Sequence, residues 1–398
     1  MTDVLVAGGG VAGLSAAAAF AAAGFGVICV DPAPPPPQAM DAPGADLRTT
    51  AILMPGIDLL EEAGLWQALK PAATPLTTLR LMDLGAGADG APVARDFEAA
   101  DLSDRPFGYN LPNWLIRREA VAHLERQPNA RLWTGVGVTD VLPRDDAALV
   151  RLSDGRTISA RLVVAADGRS SPTRAALGIG VRTTRYGQTA LTFAVTHPHA
   201  HGDVSIEVYD HGGPFTLVPM PDHEGLPCSS VVWMDEAGEQ DRRRTLPPDE
   251  LAAEATRRSG GVLGPLSVVT AAQGWPVITQ VADRLAARHL ALVAEAAHVL
   301  PPIGAQGLNT SLNDIAELLA LARDHRETLG SPEMLTRYER ARLADIRLRA
   351  RGVDLLNRLS RSTLAPVQAL RRRGLALVHD ATPIRRGIMR WGLGSGDA

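Results

Sequence analysis

The chain has 398 residues, of which 45% are hydrophobic, and it carries a formal net charge of −4 at pH 7. This length suits two domains or one large composite domain, and the slightly negative charge argues against general nucleic-acid binding. Cys29 and Cys228 lie far apart without partner cysteines at metal-ligand spacing, so neither a disulfide framework nor a zinc site is indicated. Because the sequence shows no targeting segment, we expect a soluble, cytoplasmic protein.

The first predicted unit covers residues 4–31. Residues 4–7 are apolar, as in a buried strand, residues 8–13 predict a tight glycine turn, and an Ala-rich helix and a second strand follow. This order is typical of a dinucleotide-binding βαβ unit. The alternatives are an Ala/Gly-rich core segment without a ligand, and a signal or membrane helix. The glycine cluster and the absence of a basic n-region argue against a signal or membrane helix.

The glycines of this turn each have a physical reason in the dinucleotide interpretation. Gly8 would allow the sharp turn out of the strand, Gly10 would let a pyrophosphate approach the backbone, and Gly13 would let helix and sheet pack closely. The pyrophosphate would lie at the helix N-terminus, where free amides favour an anion. Asp31, at the end of the second strand, could accept hydrogen bonds from both adenosine ribose hydroxyls.

Three arginines of the next stretch are candidate anion contacts. Arg48 is either a solvated loop charge or a contact near the cofactor phosphates. Arg117 and Arg118 fall near the start of a predicted helix, where the dipole disfavours basic charge unless it has a ligand or an acidic partner. The predicted elements of this stretch are a Pro-rich connector at 32–38, helices at 56–69 and 115–126, and strands within 77–97.

A second motif covers residues 162–174, where an apolar strand leads into Asp167-Gly168 and a Ser-Pro pair opens a helix that carries Arg174. The alternative is a strand-turn-helix without a ligand. Residues 186–233 then change to short alternating segments, which predict an inserted antiparallel sheet. His197, His199 and His201 alternate there, but no acidic or cysteine ligand stands at fitting spacing, so we predict no metal site.

The third motif covers residues 291–309. A buried strand delivers Glu295 at its C-terminal end, a rigid Pro-Pro turn follows, and a Gly-x-x-Gly loop opens a helix over residues 308–322. The N-terminal amides of this helix are placed to meet an electron-rich group. His298 is interpreted as a structural hydrogen-bonding residue rather than a base.

Taken together, the three motifs resemble the FAD-dependent aromatic hydroxylases of the p-hydroxybenzoate hydroxylase superfamily, and within it the ubiquinone-biosynthesis hydroxylases. The resemblance spans most of the chain. It rests on Gly8 to Gly13 with Asp31, Asp46 to Arg48, Asp167-Gly168 with Ser171 and Arg174, the Glu207, Gly213-Pro214 and Pro219 stretch, and His298 to Asn309.

The resemblance implies an α/β fold, namely a Rossmann-like FAD-binding domain with an inserted antiparallel β-sheet substrate domain and C-terminal helices. The FAD-binding domain would be discontinuous and would comprise residues 1–75, 100–180 and 281–345. The substrate domain would comprise residues 76–99 and 181–280. A basic helical region would follow over residues 346–398.

The resemblance also implies which residues bind FAD. The N-terminal glycines and Asp31 would hold the ADP half, Arg48 and Arg118 would reach phosphate or ribityl oxygens, and Glu295 would contact the ribityl chain. Asp167 would lie between flavin and reductant, and the amides after Gln306 would face the flavin pyrimidine edge. The cofactor-binding residues so implied are Gly8, Gly10, Val11, Ala12, Gly13, Asp31, Arg48, Arg118, Asp167, Glu295, Pro302, Gly307, Leu308 and Asn309.

The activity implied is that of an NAD(P)H-dependent flavoprotein monooxygenase. NAD(P)H reduces the flavin, O2 adds at C4a, and the C4a-hydroperoxyflavin hydroxylates an aromatic ring, here of a polyprenylated phenol or quinol intermediate of ubiquinone biosynthesis. The protein needs a dry pocket more than an acid-base pair, so no catalytic residue is assigned. The alternatives are a hydroxylase of a small soluble aromatic and a flavin-poor structural partner in a biosynthetic assembly.

Two positions depart from the family pattern. The family usually has Gly-Asp where this chain has Ala294-Glu295, and it usually has Ala-Gly or Gly-Gly where this chain has Gly304-Ala305. Glu295 keeps a carboxylate on a longer arm, whereas Ala294 adds a Cβ where the backbone normally approaches the cofactor closely.

The C-terminal region is basic, with eleven Arg and three Asp from Ile346 onward. Near its end, Ile384, Ile388 and Trp391 would share one helical face, with arginines beside it. Either this helix makes a peripheral contact with the inner face of a membrane, from which a lipid-tailed substrate would be drawn, or it is a solvated helix packed on the FAD domain.

Overall fold

The computed structural model describes residues 1–37, 45–46, 48–84, 92–362 and 365–393. Residue 38 of the predicted connector, residue 47 beside Arg48, and residues 85–91 of the predicted strand segment lie outside the described residues.

The described residues form strands and helices in a mixed order. The strands are β1 (Thr2–Ala7), β2 (Val27–Asp31), β3 (Thr49–Leu53), β4 (Thr74–Leu76), β5 (Thr78–Asp83), β6 (Val93–Glu98), β7 (Gly108–Pro112), β8 (Ala130–Thr134), β9 (Val138–Pro143), β10 (Ala148–Leu152), β11 (Thr157–Ala165), β12 (Val181–Thr196), β13 (Val204–Tyr209), β14 (Phe215–His223), β15 (Leu226–Glu236), β16 (Ser267–Val268), β17 (Gln273–Ala282), β18 (Ala286–Ala287), β19 (Leu290–Leu292) and β20 (His298–Val299). The helices are α1 (Val11–Ala22), α2 (Met54–Glu62), α3 (Trp66–Leu69), α4 (Asn113–Glu125), α5 (Pro172–Ala176), α6 (Ala237–Arg244), α7 (Pro248–Arg258), α8 (Ala294–Ala297), α9 (Gln306–Asp324), α10 (Pro332–Ser360), α11 (Ala365–Asp380) and α12 (Thr382–Leu393).

The first sheet brings the three sequence motifs together. Its strands β19, β11, β1, β2 and β8 are neighbours in that order and pair in parallel. Ala7 at the end of β1 pairs with Ala165 of β11, which pairs with Leu292 of β19. The chain therefore leaves all three strands at one edge of the sheet, the edge where α/β folds bind their ligands.

The core of this sheet follows from its apolar sequence. The side chains of β1 are fully buried from Val4 to Val6, as expected of a parallel strand covered on both faces. Helix α1 is buried along almost its whole length, from Ala12 to Ala21. Its small alanine side chains allow the helix to pack between the sheet and the helices α4 and α9.

The second sheet has the order β20-β17-β12-β15-β14-β13-β5-β6 in the part of the chain that the structure describes. Its pairs are antiparallel except for β13 with β5. One face packs Phe193, Phe215 and Trp233 against Leu251 of α7. On another part of the sheet, Ala190 and Met234 form a cluster that also includes residues from the third motif and from α10. A small sheet, β3-β7-β4, lies beside β14.

The predicted fold class is confirmed, and a few element boundaries differ. Helix α1 begins at Val11 rather than residue 14, because its N-cap is Gly10 and Gly13 belongs to its first turn. The predicted helix 56–69 is two helices, α2 and α3, separated by Gly64 at φ 74°. Glu295 does not end a strand: β19 stops at Leu292 and Glu295 lies in the short helix α8. Among the described helices, none combines the length and the apolar character needed to cross a membrane.

Candidate cofactor site

The glycines of the first motif divide into packing positions and an open position. A Cβ built at Gly13 would lie 1.9 Å from the carbonyl oxygen of Gly8, and one built at Gly8, where φ is 109°, would lie 2.3 Å from that of Ala166. A Cβ at Gly10 would meet no heavy atom of the described residues within 4 Å, apart from its chain neighbours. The backbone at the N-terminus of α1 is thus accessible to a ligand, and its free amides favour an anion.

Asp31 lies directly against this turn. Its Oδ2 accepts a hydrogen bond from the amide of Gly9, and its Oδ1 accepts one from the amide of Ala33 at 2.7 Å. The carboxylate is therefore fixed at the carboxyl end of β2, close to the glycine turn. This placement suits recognition of a nucleotide ribose.

The two arginines of α4 have different environments. The Nε of Arg117 donates to the carbonyl oxygen of Gly9 at 3.1 Å, which places this side chain against the glycine turn. Arg118 forms an ion pair with Glu119 at 2.6 Å, and its guanidinium lies 5.1 Å from the ring centre of Trp114. Arg117 is absent from the residues predicted to bind the cofactor. The sequence signal for it was the same as for Arg118, namely a basic residue in the first half of a helix.

Arg48 is held by an acidic and an aromatic neighbour. Its Nε and Nη2 donate to the two carboxylate oxygens of Asp46 at 2.8 and 2.7 Å, and its guanidinium carbon lies 4.1 Å from the ring centre of Trp275. Burial alone would raise the pKa of Asp46, but the hydrogen bonds and charge of Arg48 hold that pKa below its usual value. Burial alone would lower the pKa of Arg48, but the hydrogen bonds and charge of Asp46 and the charge of Glu295 raise that pKa above its usual value. Arg48 and Glu295 are thus close enough to interact.

The second motif is joined to the third. Asp167 lies at the N-terminus of the short helix α5, whose N-cap is Ser171. It accepts hydrogen bonds from the hydroxyl of Ser171 and, at 3.0 Å, from the amide of Thr173. Arg174 on that helix donates to the carbonyl oxygen of Ala296 at 2.8 Å. Beside these contacts, the carboxylate of Glu295 pairs with Arg169 at 3.4 Å.

The third motif contains two alanines with a left-handed backbone conformation. Ala294 has φ 55° and Ala305 has φ 56°, both in the left-handed region that glycine occupies most readily. Ala305 is the N-cap of α9, so this turn aims the helix N-terminus. A Cβ at Gly307 would meet no heavy atom of the described residues within 4 Å, apart from its chain neighbours and the backbone of its own helix. The first turn of α9 therefore has a second open stretch of backbone. Leu308 is half-buried there, and Pro302 of the preceding loop is exposed.

Asn309 ties the first turn of α9 to the rest of the site. Its amide nitrogen donates to the carbonyl oxygens of Ala51 and Ala305, each at 2.7 Å, and its Oδ1 accepts from the amide of Leu53 at 2.8 Å. The side chain thus connects α9 to β3. Its role in the structure is to hold the loop, and its own backbone amide remains in the first helical turn.

His298 belongs to a buried charge cluster. Its Nε2 donates to Oδ2 of Asp314 at 2.7 Å, and Nε of Arg342 donates to the other carboxylate oxygen at 2.8 Å. Burial would raise the pKa of Asp314, but His298 and Arg342 together keep it below its usual value. The Nδ1 of His298 is buried and has no hydrogen-bond partner among the described residues. The imidazole acts as a hydrogen-bonding residue in this geometry.

The histidines of the second sheet have local partners. His197 bonds to the carbonyl oxygen of His199 at 2.7 Å and to the hydroxyl of Ser229 at 2.9 Å, and His201 bonds to the carbonyl oxygen of Met220 at 3.1 Å. Within the described ranges, no group of three or more acidic, His or Cys side chains could hold a metal ion.

The site as a whole fits a flavin dinucleotide. Two helix N-termini carry open backbone, at Gly10 and at Gly307, and the side chains of Asp31 and Arg117 bond to the glycine turn before the first of them. Bound FAD would supply the redox and oxygen chemistry, while the protein binds and orients it. This arrangement suits a flavin-dependent oxidoreductase.

Comparison with known proteins gives the family. The sequence model described as "FAD binding domain" matches residues 1–350. The chain is 36% identical over 399 residues to the ubiquinone hydroxylase UbiL of Rhodospirillum rubrum, covering 99% of this chain and 90% of that protein. It is 28% identical to the 3-demethoxyubiquinol 3-hydroxylase of Escherichia coli, covering 99% and 98% of the two chains.

A solved structure supports the fold. The p-nitrophenol 4-monooxygenase PnpA of Pseudomonas putida superposes with a TM-score of 0.79 at 18% identity, over 100% of this chain and 99% of that one. The chain belongs to the FAD-binding-domain family. It is a flavoprotein monooxygenase with FAD as its cofactor and NAD(P)H as its co-substrate, which confirms the predicted family and enzyme class.

Proposed function

We propose that this protein hydroxylates the aromatic ring of a polyprenylated phenol or quinol intermediate of ubiquinone biosynthesis, with O2 as the oxidant. The single observation that carries the proposal is the 36% identity to a ubiquinone hydroxylase along nearly the whole of both chains. The Escherichia coli relative, which is aligned over almost its entire length, is also named for a ubiquinol precursor.

We infer that the residues around the first motif hold the ADP half of FAD. Gly10, with Val11 and Ala12 at the N-terminus of α1, would receive the pyrophosphate, and Asp31 would receive the ribose. Arg48 would reach phosphate or ribityl oxygens from its position beside Asp46. Support comes from the open backbone at Gly10 and from the anchored carboxylate of Asp31.

We infer that Arg118, predicted to share the contact of Arg48, does so less directly than its neighbour Arg117. Arg117 already touches the glycine turn, whereas Arg118 pairs with Glu119. Titration of apo protein with FAD would compare Arg117→Met with Arg118→Met. The larger loss of affinity identifies the arginine that contacts the cofactor.

The substrate ring would bind where the third motif meets the second sheet. Ile303, from the loop after the Pro-Pro turn, packs in one apolar cluster with Ala190 and Met234 of the sheet and Val353 of α10. An apolar site at this junction would exclude water from the reacting atoms and suit a ring that carries a polyprenyl tail. Glu295, Gly307 and Asn309 would lie on the cofactor side of the same junction.

We further propose that α12 makes a peripheral contact with the inner face of the membrane. Ile384 and Ile388 are each 45% exposed and Trp391 is 38% exposed, while Arg386 and Arg390 are exposed on the same helix. An exposed apolar face bordered by arginines suits an anionic lipid surface. A lipid-tailed substrate gives such a contact a purpose.

The decisive experiment combines two measurements on the native protein. Purified protein should be yellow or should take up FAD, and a deletion strain should accumulate a quinone precursor that lacks one ring hydroxyl. Complementation by the wild-type gene should remove that precursor. A protein that takes up no FAD, with intact quinone hydroxylation in the deletion strain, would instead identify a structural partner. FAD binding with an unchanged quinone profile would point to a small soluble aromatic.

A further inference from the structure

We propose that Arg349 and Asp345 on α10 are positioning residues for the flavin. Together with Arg342 they form a polar ladder that fixes both ends of the loop between His298 and Gln306. This inference rests on the proposed placement of the flavin ring edge at the first turn of α9. The two residues act through the loop and need not touch the cofactor.

The first end of the loop is fixed through Asp314. His298, which begins the loop, bonds to this carboxylate at 2.7 Å, and Arg342 of α10 bonds to its other oxygen at 2.8 Å. All three side chains are nearly inaccessible to solvent. The amide of Ala294 also donates to Asp314, at 3.4 Å. The residues before and within the loop are therefore held from one buried carboxylate.

The second end of the loop is fixed through Gln306. Nη1 of Arg349 donates to Oε1 of Gln306 at 2.7 Å, and both side chains are buried. The amide nitrogen of Gln306 donates to the carbonyl oxygens of Gly304 at 2.9 Å and Gly392 at 3.1 Å. Gln306 is the first residue of α9, so its orientation sets the turn whose amides lie at Gly307 and Leu308.

Asp345 joins the two ends. Its carboxylate accepts from Nη1 of Arg342 at 2.9 Å and from Nε of Arg349 at 2.9 and 3.0 Å. The three residues are spaced i, i+3 and i+7 on α10, which places them on one face of the helix. Two buried guanidinium groups thus share one carboxylate, and one helix face holds the whole loop.

The ladder has a consequence for the cofactor. Reduced flavin gathers negative charge at its pyrimidine edge, where the amides of a helix N-terminus stabilise it. If the loop loosens, these amides lose their fixed direction, and reduced FAD loses more affinity than oxidised FAD. The ladder therefore acts on the reduction potential and not only on folding.

The test compares Arg349→Met with Arg337→Met. Both arginines lie on α10, but Arg337 is exposed and forms an i, i+4 pair with Glu333 at 3.1 Å. We expect Arg349→Met to lower the affinity for reduced FAD roughly tenfold more than the affinity for oxidised FAD, since a buried hydrogen bond to a charged group is lost. The midpoint potential of the bound FAD should therefore become more negative in Arg349→Met and should stay unchanged in Arg337→Met. Arg349→Lys should recover part of the shift.

A second measurement does not involve the cofactor. In the apo protein, amides of residues 299–308 should exchange hydrogen faster in Arg349→Met than in Arg337→Met. If Arg349→Met does not fold, Gln306→Met removes the same bond from the other side, together with the bonds of Gln306 to Gly304 and Gly392, and should shift the potential in the same direction by at least as much. If the double variant Arg349→Met with Gln306→Met folds, its shift in midpoint potential should be smaller than the sum of the two single shifts. An unchanged potential in Arg349→Met or Gln306→Met, with only a lower melting temperature, would show a purely structural role. Gly10→Val tests separately whether the ADP half of FAD binds at α1.

Discussion

Ala294 and Ala305 share a left-handed backbone conformation, with φ of 55° and 56°. Ala294 begins α8, shortly before the loop that starts at His298, and Ala305 lies at the end of that loop. Both stand where the family that the sequence resembles usually has glycine. An L residue in this region costs about 1–2 kcal/mol through the clash of its Cβ with the backbone. The two departures from the family pattern are therefore positions of stored backbone strain, and they keep the conformation that glycine would adopt.

The first prediction follows from this strain. Ala294→Gly and Ala305→Gly should each leave the free energy of unfolding equal or raise it by up to about 1 kcal/mol, because relief of strain exceeds the extra chain entropy of glycine. Ala294→Gly with Glu295→Asp should bind FAD as well as wild type or better. Urea unfolding of the apo protein and FAD titration measure the two effects.

The control for this prediction is Ala341→Gly, at an exposed position inside α10. It should lose about 1 kcal/mol, as glycine does in a helix interior. A similar loss in Ala294→Gly or Ala305→Gly would mean that the Cβ packs favourably and that strain is not the dominant effect.

The second prediction separates ligand binding from packing in the glycine turn. Gly10→Val should fold with a melting temperature close to wild type and should lose FAD binding, because its Cβ points into space that only a ligand would use. Gly13→Val should destabilise the apo protein itself, since its Cβ would meet the carbonyl oxygen of Gly8 at 1.9 Å. Thermal melts with and without FAD distinguish the two. A Gly10→Val protein whose melting temperature still rises with FAD would place the pyrophosphate elsewhere.

The sequence predicted the elements whose signal is local. The strand, glycine turn and helix around Gly8 to Gly13 follow from hydrophobic pattern and turn chemistry, and β13, β14 and β15 pair antiparallel in the region where residues 186–233 predict such a sheet. The pairing of Ala7 with Ala165 and of Ala165 with Leu292 joins residues far apart in the chain, and it could be expected only through the family resemblance.

The rest depends on contacts that no local pattern encodes. Arg117 and Arg118 have equal charge and adjacent positions, and only the turn of α4 decides that Arg117 faces Gly9. The ladder through Asp345 could not be predicted from the sequence either, because charged residues at i and i+3 on a long helix usually lie on its solvated face. Only the packing of α10 against α9 places them beside Gln306.

The third prediction concerns acid stability. The folded-state pKa of Asp314 is lower than its unfolded value of 3.8, so its contribution is present above that pH and is lost as the pH falls through the folded pKa. At pH 7, Asp314→Asn should cost about 3–5 kcal/mol, since Arg342 and His298 lose their buried partner. The difference from wild type should shrink below pH 3.8.

Urea unfolding of both proteins between pH 7 and pH 3 measures this difference. Asp154→Asn is the control, because Asp154 pairs with Arg156 at the surface and its removal should change little at any pH. A wild-type to Asp314→Asn difference that stays constant down to pH 3 would show that the carboxylate is not the group linked to acid unfolding.

The fourth prediction concerns the exposed face of α12. The double variant Ile384→Asp with Ile388→Asp should bind at least tenfold more weakly to vesicles that contain anionic lipid. Each isoleucine that enters the lipid surface contributes roughly 1.5–3 kcal/mol to binding. Binding of wild type should also weaken as salt is raised, since each arginine near the surface adds about 1 kcal/mol. Co-sedimentation measures both effects.

The matched control places the same charge on another exposed apolar side chain. Leu226, at the start of β15, is 51% exposed, and Leu226→Asp should leave vesicle binding unchanged. Enzyme turnover on a short-tailed soluble substrate should be equal in all three proteins, because both isoleucines are about half exposed and the bond from α12 to Gln306 is made by Gly392. Vesicle binding that survives both the double variant and truncation after residue 370 would assign the helix to packing on the FAD domain, with its isoleucines exposed to solvent.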